Sequence, residues 1–498
     1  MHDDRLSELP DHILLCILER LRDDARLLAT TCVLSKRWRT LPLMLPRLKI
    51  SARTFVTTDR TTSRLQLLRR ATGSFAAAVR FFLAAGTATG GDNQRAIKTL
   101  ALEFYLTEVD SLLDIVRVVG AAIGRGEVKD LELMIYTENG KAFLEAESRV
   151  GILLPYGHRF MRLLRDAPGD VSRSLTKLWL QNLAFLDPSS DVGILLCTCT
   201  ALEVLHLERC GFVDNDFSST LAIDAPPRSR LKVLSLKNCY VGKIHLGQAP
   251  KLACLICKGW FSESCPVTFG PGSAPCLDEI CLTQGAEEWQ LRFSLSELLE
   301  NTHGVETLRL GFNDDKIWVH PESPKTLGAA FGKLKKLYLM DVFPECDLSW
   351  TMFLIQAAPL LEFVDIQIYT DHACCSAGSD GDDGGRDVRD LEWEVPRGFR
   401  HSHLRVVRIT GDIDARKHVR FARLVMERAV SLEVLVLDAK ITCKGCIDAQ
   451  RQDPSIVLSH FPQDKEGADA LVRQQVKRGI ASSAYVLVYS ASNQEFQY

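Results

Sequence analysis

The sequence predicts an α/β protein whose largest part is a solenoid with parallel strands. Two observations lead to that prediction: a short apolar pattern recurs along most of the chain, and apolar amphipathic helices precede it. Hydrophobic residues make up 46% of the 498 residues and charged residues 25%, which is ordinary for a globular protein. The length exceeds one usual domain unless the chain is an elongated repeat array.

The recurring pattern is one apolar residue, two residues of any kind, an apolar residue, one residue, and an apolar residue. Copies begin at positions 97, 128, 175, 202, 231, 277, 305, 334, 361, 404 and 432, with a poorer copy at 252. No single copy can bury its apolar side chains, so the units must stack with their strands parallel. This period resembles that of leucine-rich repeats, and the wider gaps after 128 and 361 indicate insertions.

Two of the cysteines, Cys210 and Cys239, are expected to be structural. Cys210, Cys239 and Asn313 stand at the same place in their units, where a small polar side chain turns inward and satisfies backbone groups. Two Cys-x-x-Cys pairs, Cys254/Cys257 and Cys443/Cys446, have zinc spacing, but they lie in different units without a partner His pair. We therefore predict no metal and no cofactor.

The N-terminal stretch LPDHILLCILERL predicts an amphipathic helix, because apolar residues recur every three or four positions. Asp23 or Asp24 begins a second helix with Leu27 and Leu28, and Ser35 caps a short third one, KRWRTL. Three short helices bury little apolar surface among themselves. On pattern alone the remainder packs on this chain; the alternative is a docking surface for another protein.

The order of residues resembles an F-box of the plant type over about residues 5–45, where LP, IL and SKRW occur together. The resemblance implies contact with a Skp-family adaptor and, through it, a cullin scaffold. The implied adaptor contacts are Leu9, Pro10, Ile13, Leu14, Ile17, Leu18, Leu21, Val33, Leu34 and Trp38. Arg22 and Leu41-Pro42 depart from the usual residues of the motif.

The last third of the sequence contains a Gly- and Asp-rich loop at 371–390, without periodicity. A strand, an amphipathic helix with Phe421, Leu424, Val425 and Ala429 on one face, and another strand follow it. This segment resembles the FBD module of plant F-box proteins and is expected to close the end of the solenoid. His401 and His403, before its first strand, are expected at the surface.

These patterns divide the chain into six segments. They are the F-box (1–48), a helical connector (49–96), the leucine-rich-repeat solenoid (97–370), the acidic loop (371–390), the FBD-like module (391–446) and a helix-strand extension (447–498).

Composition and motifs favour a binding protein. No phosphate-binding loop, nucleophile elbow, zinc-protease motif or dinucleotide loop occurs, so we predict no enzyme activity. A net charge of −3 does not favour binding to nucleic acid. The sequence has no run of 18 apolar residues, so we predict no membrane-spanning helix. Scattered cysteines, the absence of glycosylation sequons and an acidic N-terminus predict an intracellular protein, cytoplasmic or nuclear.

Side chains that alternate with the apolar ones face the sheet surface and are candidates for binding a protein substrate. They include Lys177, Glu208, Lys336 and Asp365, and we assign substrate binding to Trp179, His206, Arg309, Tyr338 and Arg408. Trp179 and Tyr338 are the anchors, since aromatic residues dominate binding hot spots. The alternative is that they pack under loops.

The sequence thus predicts the substrate-recognition subunit of a Skp–cullin–F-box ubiquitin ligase, with no catalysis of its own. The alternative is a leucine-rich-repeat scaffold that binds a partner without degrading it. Charged substitutions at Leu9 and Leu14 are expected to abolish adaptor binding in the first case.

Overall fold

The computed structural model divides the chain into two compact units, Met1–Leu252 and Ala253–Tyr498. The structure describes residues 9–21, 25–31, 35, 37–38, 41–57, 62–84, 97–107, 109–138, 146–212, 219–283, 290–302, 304–312, 317–344, 346–369, 393–413, 416–439, 461, 464–489 and 495–497.

The first unit is built on a parallel sheet in the order β1-β2-β3-β4-β6-β9. These strands are β1 (Arg47–Ser51), β2 (Ile97–Tyr105), β3 (Val128–Tyr136), β4 (Leu175–Gln181), β6 (Val204–Glu208) and β9 (Val233–Lys237). Two short parallel pairs accompany it: β5 (Ala184–Phe185) with β7 (Gly211–Phe212), and β8 (Thr220–Asp224) with β10 (Lys243–Gln248).

The helices of the first unit precede the sheet or connect its strands. They are α1 (Asp11–Leu21), α2 (Ala25–Thr31), α3 (Arg64–Ala84), α4 (Val109–Gly124), α5 (Ala146–Asp166), α6 (Gly169–Ser174) and α7 (Pro188–Thr198), with 3-10 turns at Leu41–Met44 and Ala52–Phe55. On the core side of the sheet, one row of leucines runs across the strands β2 to β9, each paired in register with the next. All five are buried: Leu102, Leu133, Leu178, Leu205 and Leu234.

The second unit also has a parallel sheet, and its last strand pairs antiparallel with the strand before it. Its strands in order are β11 (Cys254–Lys258), β13 (Glu279–Thr283), β15 (Thr307–Gly311), β17 (Lys336–Val342), β18 (Phe363–Ile368), β19 (Val406–Gly411), β20 (Val434–Asp438), β21 (Tyr485–Tyr489) and β22 (Glu495–Gln497). The short strands β12 (Val267–Phe269), β14 (Phe293–Ser294) and β16 (Val319–His320) lie outside this sheet.

Helices in the second unit are short, as is usual where a repeat leaves few residues between strands. They are α8 (Leu295–Leu298), α9 (Pro324–Leu327), α10 (Met352–Ala357), α11 (Lys417–Arg428) and α12 (Lys465–Ala470), with a 3-10 turn at Leu348–Thr351 and a π-helical turn at Leu471–Val476.

The predicted fold class is confirmed. Each quoted copy of the apolar pattern, the poorer copy at 252 included, overlaps one strand of a parallel sheet. The wide gap after 128 holds α5 and α6, as an insertion should. A left-handed residue stands directly after several strands and ends them: Asn182, Arg209, Asn238 and Gly259 have φ between 51° and 61°.

The structure describes parts of two further predicted segments. The connector (49–96) is not wholly helical, because β1 runs to Ser51 and pairs with β2; its two apolar residues, Leu48 and Ile50, were too few to recognise. The FBD-like segment has the predicted strand, helix and strand, and β19 and β20 extend the parallel sheet of the second unit. The acidic loop (371–390) lies outside the described residues.

His401 is buried, so its prediction as a surface residue is wrong, whereas His403 is exposed as predicted. The ring bridges two backbone segments: Nε2 donates to the Ala358 carbonyl at 2.9 Å, and Nδ1 accepts from the Leu404 N–H at 3.0 Å. This pattern fixes the neutral tautomer. Burial lowers the pKa of His401 by more than the hydrogen bond to the Ala358 carbonyl raises it.

The stability of the second unit should therefore fall in acid. The folded state holds the pKa of His401 below that of the unfolded chain, about 6.5, so its contribution is complete above that pH and is lost as the pH falls from there through the folded-state pKa. Urea unfolding at pH 7.5 and 5.5 measures the loss. His401→Asn keeps an acceptor for the Leu404 N–H but does not titrate, so its pH dependence should be smaller; an identical pH dependence would contradict this prediction.

Candidate functional site

The N-terminal helices have one side buried in the chain and one side open. Leu14 and Leu18 of α1 are fully buried, as are Leu28 of α2 and, nearly so, Trp38. On the other side Ile13 and Ile17 of α1 remain 39% and 36% exposed, and Leu27 of α2 is 47% exposed. Ile13 and Ile17 are one helical turn apart and so share a face. We call Ile13, Ile17 and Leu27 the apolar strip.

Local interactions hold these helices in place. The Ile13 and Leu14 N–H groups donate to the Pro10 carbonyl in the first turn, and Asp11 complements the positive end of the helix. Arg37 joins the later segment to α1, since its Nε donates to Asp11 Oδ1 at 2.8 Å and its Nη2 to the Leu9 carbonyl at 2.6 Å. The predicted cap is present: the Trp38 N–H donates to Ser35 Oγ at 3.3 Å.

The predicted adaptor contacts therefore separate into groups. Leu14, Leu18 and Trp38 belong to the core of this chain and do not present themselves to a partner. Pro10, Ile13 and Ile17 are exposed and Leu9 and Leu21 half-buried; Val33 and Leu34 lie outside the described residues. Leu27 was not among the predicted contacts, although its place in the second helix was recognised.

In the first unit, the sheet face opposite the leucine core carries Trp179 and His206 side by side. The two residues are paired in register on β4 and β6, and their ring centroids are 5.3 Å apart. Both are partly exposed. Burial, together with the charge of Lys177, lowers the pKa of His206, which favours the neutral ring. We call this surface the open face of the first unit.

Three carboxylates on that open face are largely buried, and each lies beside two cations. Glu132 pairs with Arg47 at 2.8 Å and Lys177 at 3.0 Å. Glu103 pairs with Lys49 at 3.6 Å and Arg53 at 3.1 Å.

The third carboxylate, Glu208, has Arg209 at 3.4 Å and Lys237 at 4.0 Å. Alternation along the strands predicted Lys177 and Glu208 on this face but not the other members of the three clusters. The signal for Glu103 and Glu132 was their alternation with leucines in LALEF and DLELM.

An aromatic ring supports this arrangement. The guanidinium of Arg53 lies 4.0 Å from the centroid of the Tyr136 ring, a cation–π contact. Burial, and then the charge of Glu103, raise the pKa of Tyr136 to about 12, so its hydroxyl stays protonated at neutral pH.

In the second unit, the corresponding face brings Arg309 and Tyr338 together. They are paired in register on β15 and β17, and the Arg309 guanidinium lies 3.8 Å from the Tyr338 ring centroid. Arg309 Nε also donates to Glu279 at 2.6 Å. Arg408 is paired in register with Asp365, 4.0 Å away, and burial raises the pKa of that carboxyl. Arg408 is thus separated from Tyr338 by one strand.

Two of the described cysteines occupy structural positions. Cys210 and Cys239 are buried, and their thiols donate to the carbonyls of Leu180 at 3.6 Å and Leu207 at 3.2 Å, as predicted for the turn. Cys254 and Cys257 are three residues apart on β11 and therefore point to opposite sheet faces, which prevents a shared metal ion.

Asn313, predicted at the same turn position, and the second Cys-x-x-Cys pair, Cys443 and Cys446, lie outside the described residues. Within the described ranges, no group of three or more His, Cys, Asp or Glu side chains is placed to hold a metal ion. None of the helices that the structure describes is both long and apolar enough to cross a membrane.

Comparison with known proteins agrees with this architecture. The family model described as At1g61320/AtMIF1, LRR domain, matches residues 166–490, more than half of the chain. The chain is 29% identical over 254 residues to the F-box/FBD/LRR-repeat protein At2g04230 of Arabidopsis thaliana, covering 48% of this chain and 49% of that relative. It is 27% identical over 386 residues to the putative F-box/FBD/LRR-repeat protein At3g49030 of Arabidopsis thaliana, covering 76% of each.

The matched segment thus spans about half the length of the first relative and about three quarters of the second. The family match extends through β21, so it includes the segment that resembles an FBD module. The chain therefore belongs to this leucine-rich-repeat family, and its resemblance to plant F-box/FBD/leucine-rich-repeat proteins is confirmed.

Proposed function

We propose that the chain is the non-catalytic substrate-recognition subunit of a Skp–cullin–F-box ubiquitin ligase. The apolar strip would dock a Skp-family adaptor, and the repeat sheet would hold a protein substrate for ubiquitination and proteasomal degradation. The observation that carries the proposal is that Ile13, Ile17 and Leu27 stay open on helices whose other side is packed in the core. Exposed apolar side chains grouped on helices are characteristic of docking surfaces.

The connection between the helices and the sheet supports the same role. Strand β1 follows the N-terminal helices closely, pairs with β2, and contacts α2. Arg47 and Lys49 of β1 also pair with Glu132 and Glu103 of the neighbouring strands. An adaptor bound at the strip would thus be held in a fixed relation to the open face of the first unit.

A receptor of this kind acts through proximity. A ubiquitin-conjugating enzyme brought by the cullin scaffold would meet substrate lysines at a high effective concentration, so this chain needs no catalytic group. A specific adaptor interface of ordinary size buries on the order of 1,600 Å² in total. The strip supplies only the apolar centre of such an interface.

Acidic substitution of the strip tests the proposal. The double variant Ile13→Asp/Ile17→Asp should lose at least about 2 kcal/mol of adaptor affinity, roughly a 30-fold weakening, because two apolar anchors become charged. Co-purification with a Skp-family adaptor measures the loss. Both side chains are exposed, so the circular dichroism spectrum should be unchanged.

Ile194→Asp is the matched control, since Ile194 of α7 is 50% exposed in the same unit but far along the chain. It should bind the adaptor as the unchanged chain does. Undiminished adaptor capture by the double variant would refute the proposal and favour the non-degradative scaffold.

A further inference from the structure

The open face of the first unit has an excess of positive charge that the open face of the second unit lacks. Glu103, Glu132 and Glu208 each neutralise only one of their two cations, so each cluster carries one net positive charge. In the second unit, Glu279 with Arg309 and Asp365 with Arg408 are one-to-one pairs. The further cations of those strands, Lys258 and Lys336, are matched in number by the acids Asp341 and Asp438. The difference is a property of the pairing and not of the overall composition, which is slightly acidic.

Burial places the positive charge outermost. The side chains of the three carboxylates are only 7–9% exposed, whereas those of Lys177 and Lys237 are 49% exposed, that of Arg53 is 53% exposed and that of Lys49 is 25% exposed. The carboxylates thus lie beneath the cations, and an approaching molecule meets ammonium and guanidinium groups first. Asp130, at the start of β3, is a partly exposed acid on the same face, and the net charge of the three clusters exceeds it.

The clusters are spread along the sheet. They extend from β1, which carries Lys49, to β9, which carries Lys237, across five strand spacings. At about 4.8 Å per spacing the cations span roughly 24 Å, the length of an extended peptide of about seven residues. Trp179 and His206 lie between the ends of this span and offer ring surfaces to apolar side chains.

We propose that the open face of the first unit binds an acidic segment of the protein substrate in extended conformation. Carboxylates of the segment would pair with Lys49, Lys177 and Lys237, and an apolar side chain would lie against Trp179. That this segment belongs to a substrate rests on the proposed function; the binding of an acidic segment does not. A nucleic acid is the less suitable ligand, because three separated single charges do not make the dense basic stripe that a phosphate backbone requires.

The pairing allows a variant that removes the charge and keeps the fold. In Lys49→Gln/Lys177→Gln/Lys237→Gln, each buried carboxylate retains its arginine: Arg53, Arg47 and Arg209 respectively. The matched control is Arg70→Gln/Arg80→Gln/Arg228→Gln, which removes the same charge from exposed positions of α3 and a turn. Both variants are made in the full chain.

The probes are a fluorescent ten-residue peptide rich in Glu and Asp, its Gln/Asn counterpart and a ten-nucleotide single-stranded RNA, measured by anisotropy at low ionic strength. The unchanged chain should bind the acidic peptide at least tenfold more tightly than the neutral one, and added salt should weaken binding. The triple-lysine variant should bind the acidic peptide at least tenfold more weakly than the unchanged chain does. The arginine control should bind it less than twofold more weakly. Equal affinity for both peptides, the same loss in both variants, or tighter binding of the RNA would each overturn the inference.

Adaptor capture, measured in parallel, separates the two proposals. A chain that captures the adaptor but does not discriminate between the peptides contradicts only the acidic-segment inference. A chain that binds the acidic peptide but captures no adaptor contradicts the ligase proposal and leaves the assignment of the open face intact.

Discussion

We expect Gly157→Ala to destabilise the first unit by about 3 kcal/mol, although alanine is the better helix former. Gly157 lies buried in α5, where a β-carbon would overlap the backbone carbonyl oxygen of Ala184 in β5. A backbone oxygen cannot move aside as a flexible side chain can, so α5 must shift away from β5. That shift would open the packing between the helix and the short β5–β7 pair.

Gly151 provides a control in the same helix. It is exposed, and no atom lies within 4 Å of the position that its β-carbon would take. Gly151→Ala should therefore stabilise the unit by about 1 kcal/mol, the usual gain from replacing glycine in a helix. Urea unfolding followed by circular dichroism measures both variants. Midpoints that shift in the same direction for the two substitutions would show that helix propensity, and not the close approach to Ala184, decides the stability.

The strands could be predicted because each repeat has leucine at the same positions, and these positions set how adjacent strands pair. Leu178, Leu205 and Leu234 fall at the same place of their patterns and lie on adjacent strands in the fold. Strand β1 was missed, because Leu48 and Ile50 alone do not make a pattern until β2 provides a partner to pair with. His401 was misplaced for a related reason. Its burial depends on the Ala358 carbonyl, 43 residues earlier in the sequence, which no local pattern indicates.

The candidate surfaces were only partly predictable. Alternation along β4 and β6 placed Trp179 and His206 on the open face together. This alternation could not reveal that Glu132 forms ion pairs with both Arg47 and Lys177, since these residues come from three different strands. The charge excess of the face depends on that sharing. It therefore becomes visible only when the strands are set side by side.

The N-terminal helix carries the second large effect: Leu14→Asp should destabilise the N-terminal helices by about 4 kcal/mol or more, whereas Ile13→Asp should leave them folded. Leu14 is fully buried, so the change removes core packing and places a carboxylate among apolar side chains. Ile13, its neighbour, is 39% exposed, and its carboxylate would remain in water. The sequence predicted both residues as adaptor contacts, because the pattern of a wide apolar helix face does not show which of its edges packs against the rest of the chain.

Hydrogen exchange of the amides in α1 measures the difference, since unfolding of the helix exposes them without requiring the whole chain to unfold. Adaptor binding should fall in both variants, but only Leu14→Asp should also lose amide protection. Loss of adaptor binding after substitution of Leu14 would thus report unfolding, and that of Ile13 would report the interface. If Ile13→Asp also lost its protection, both edges of α1 would belong to the core, and no apolar strip would remain for a partner to cover.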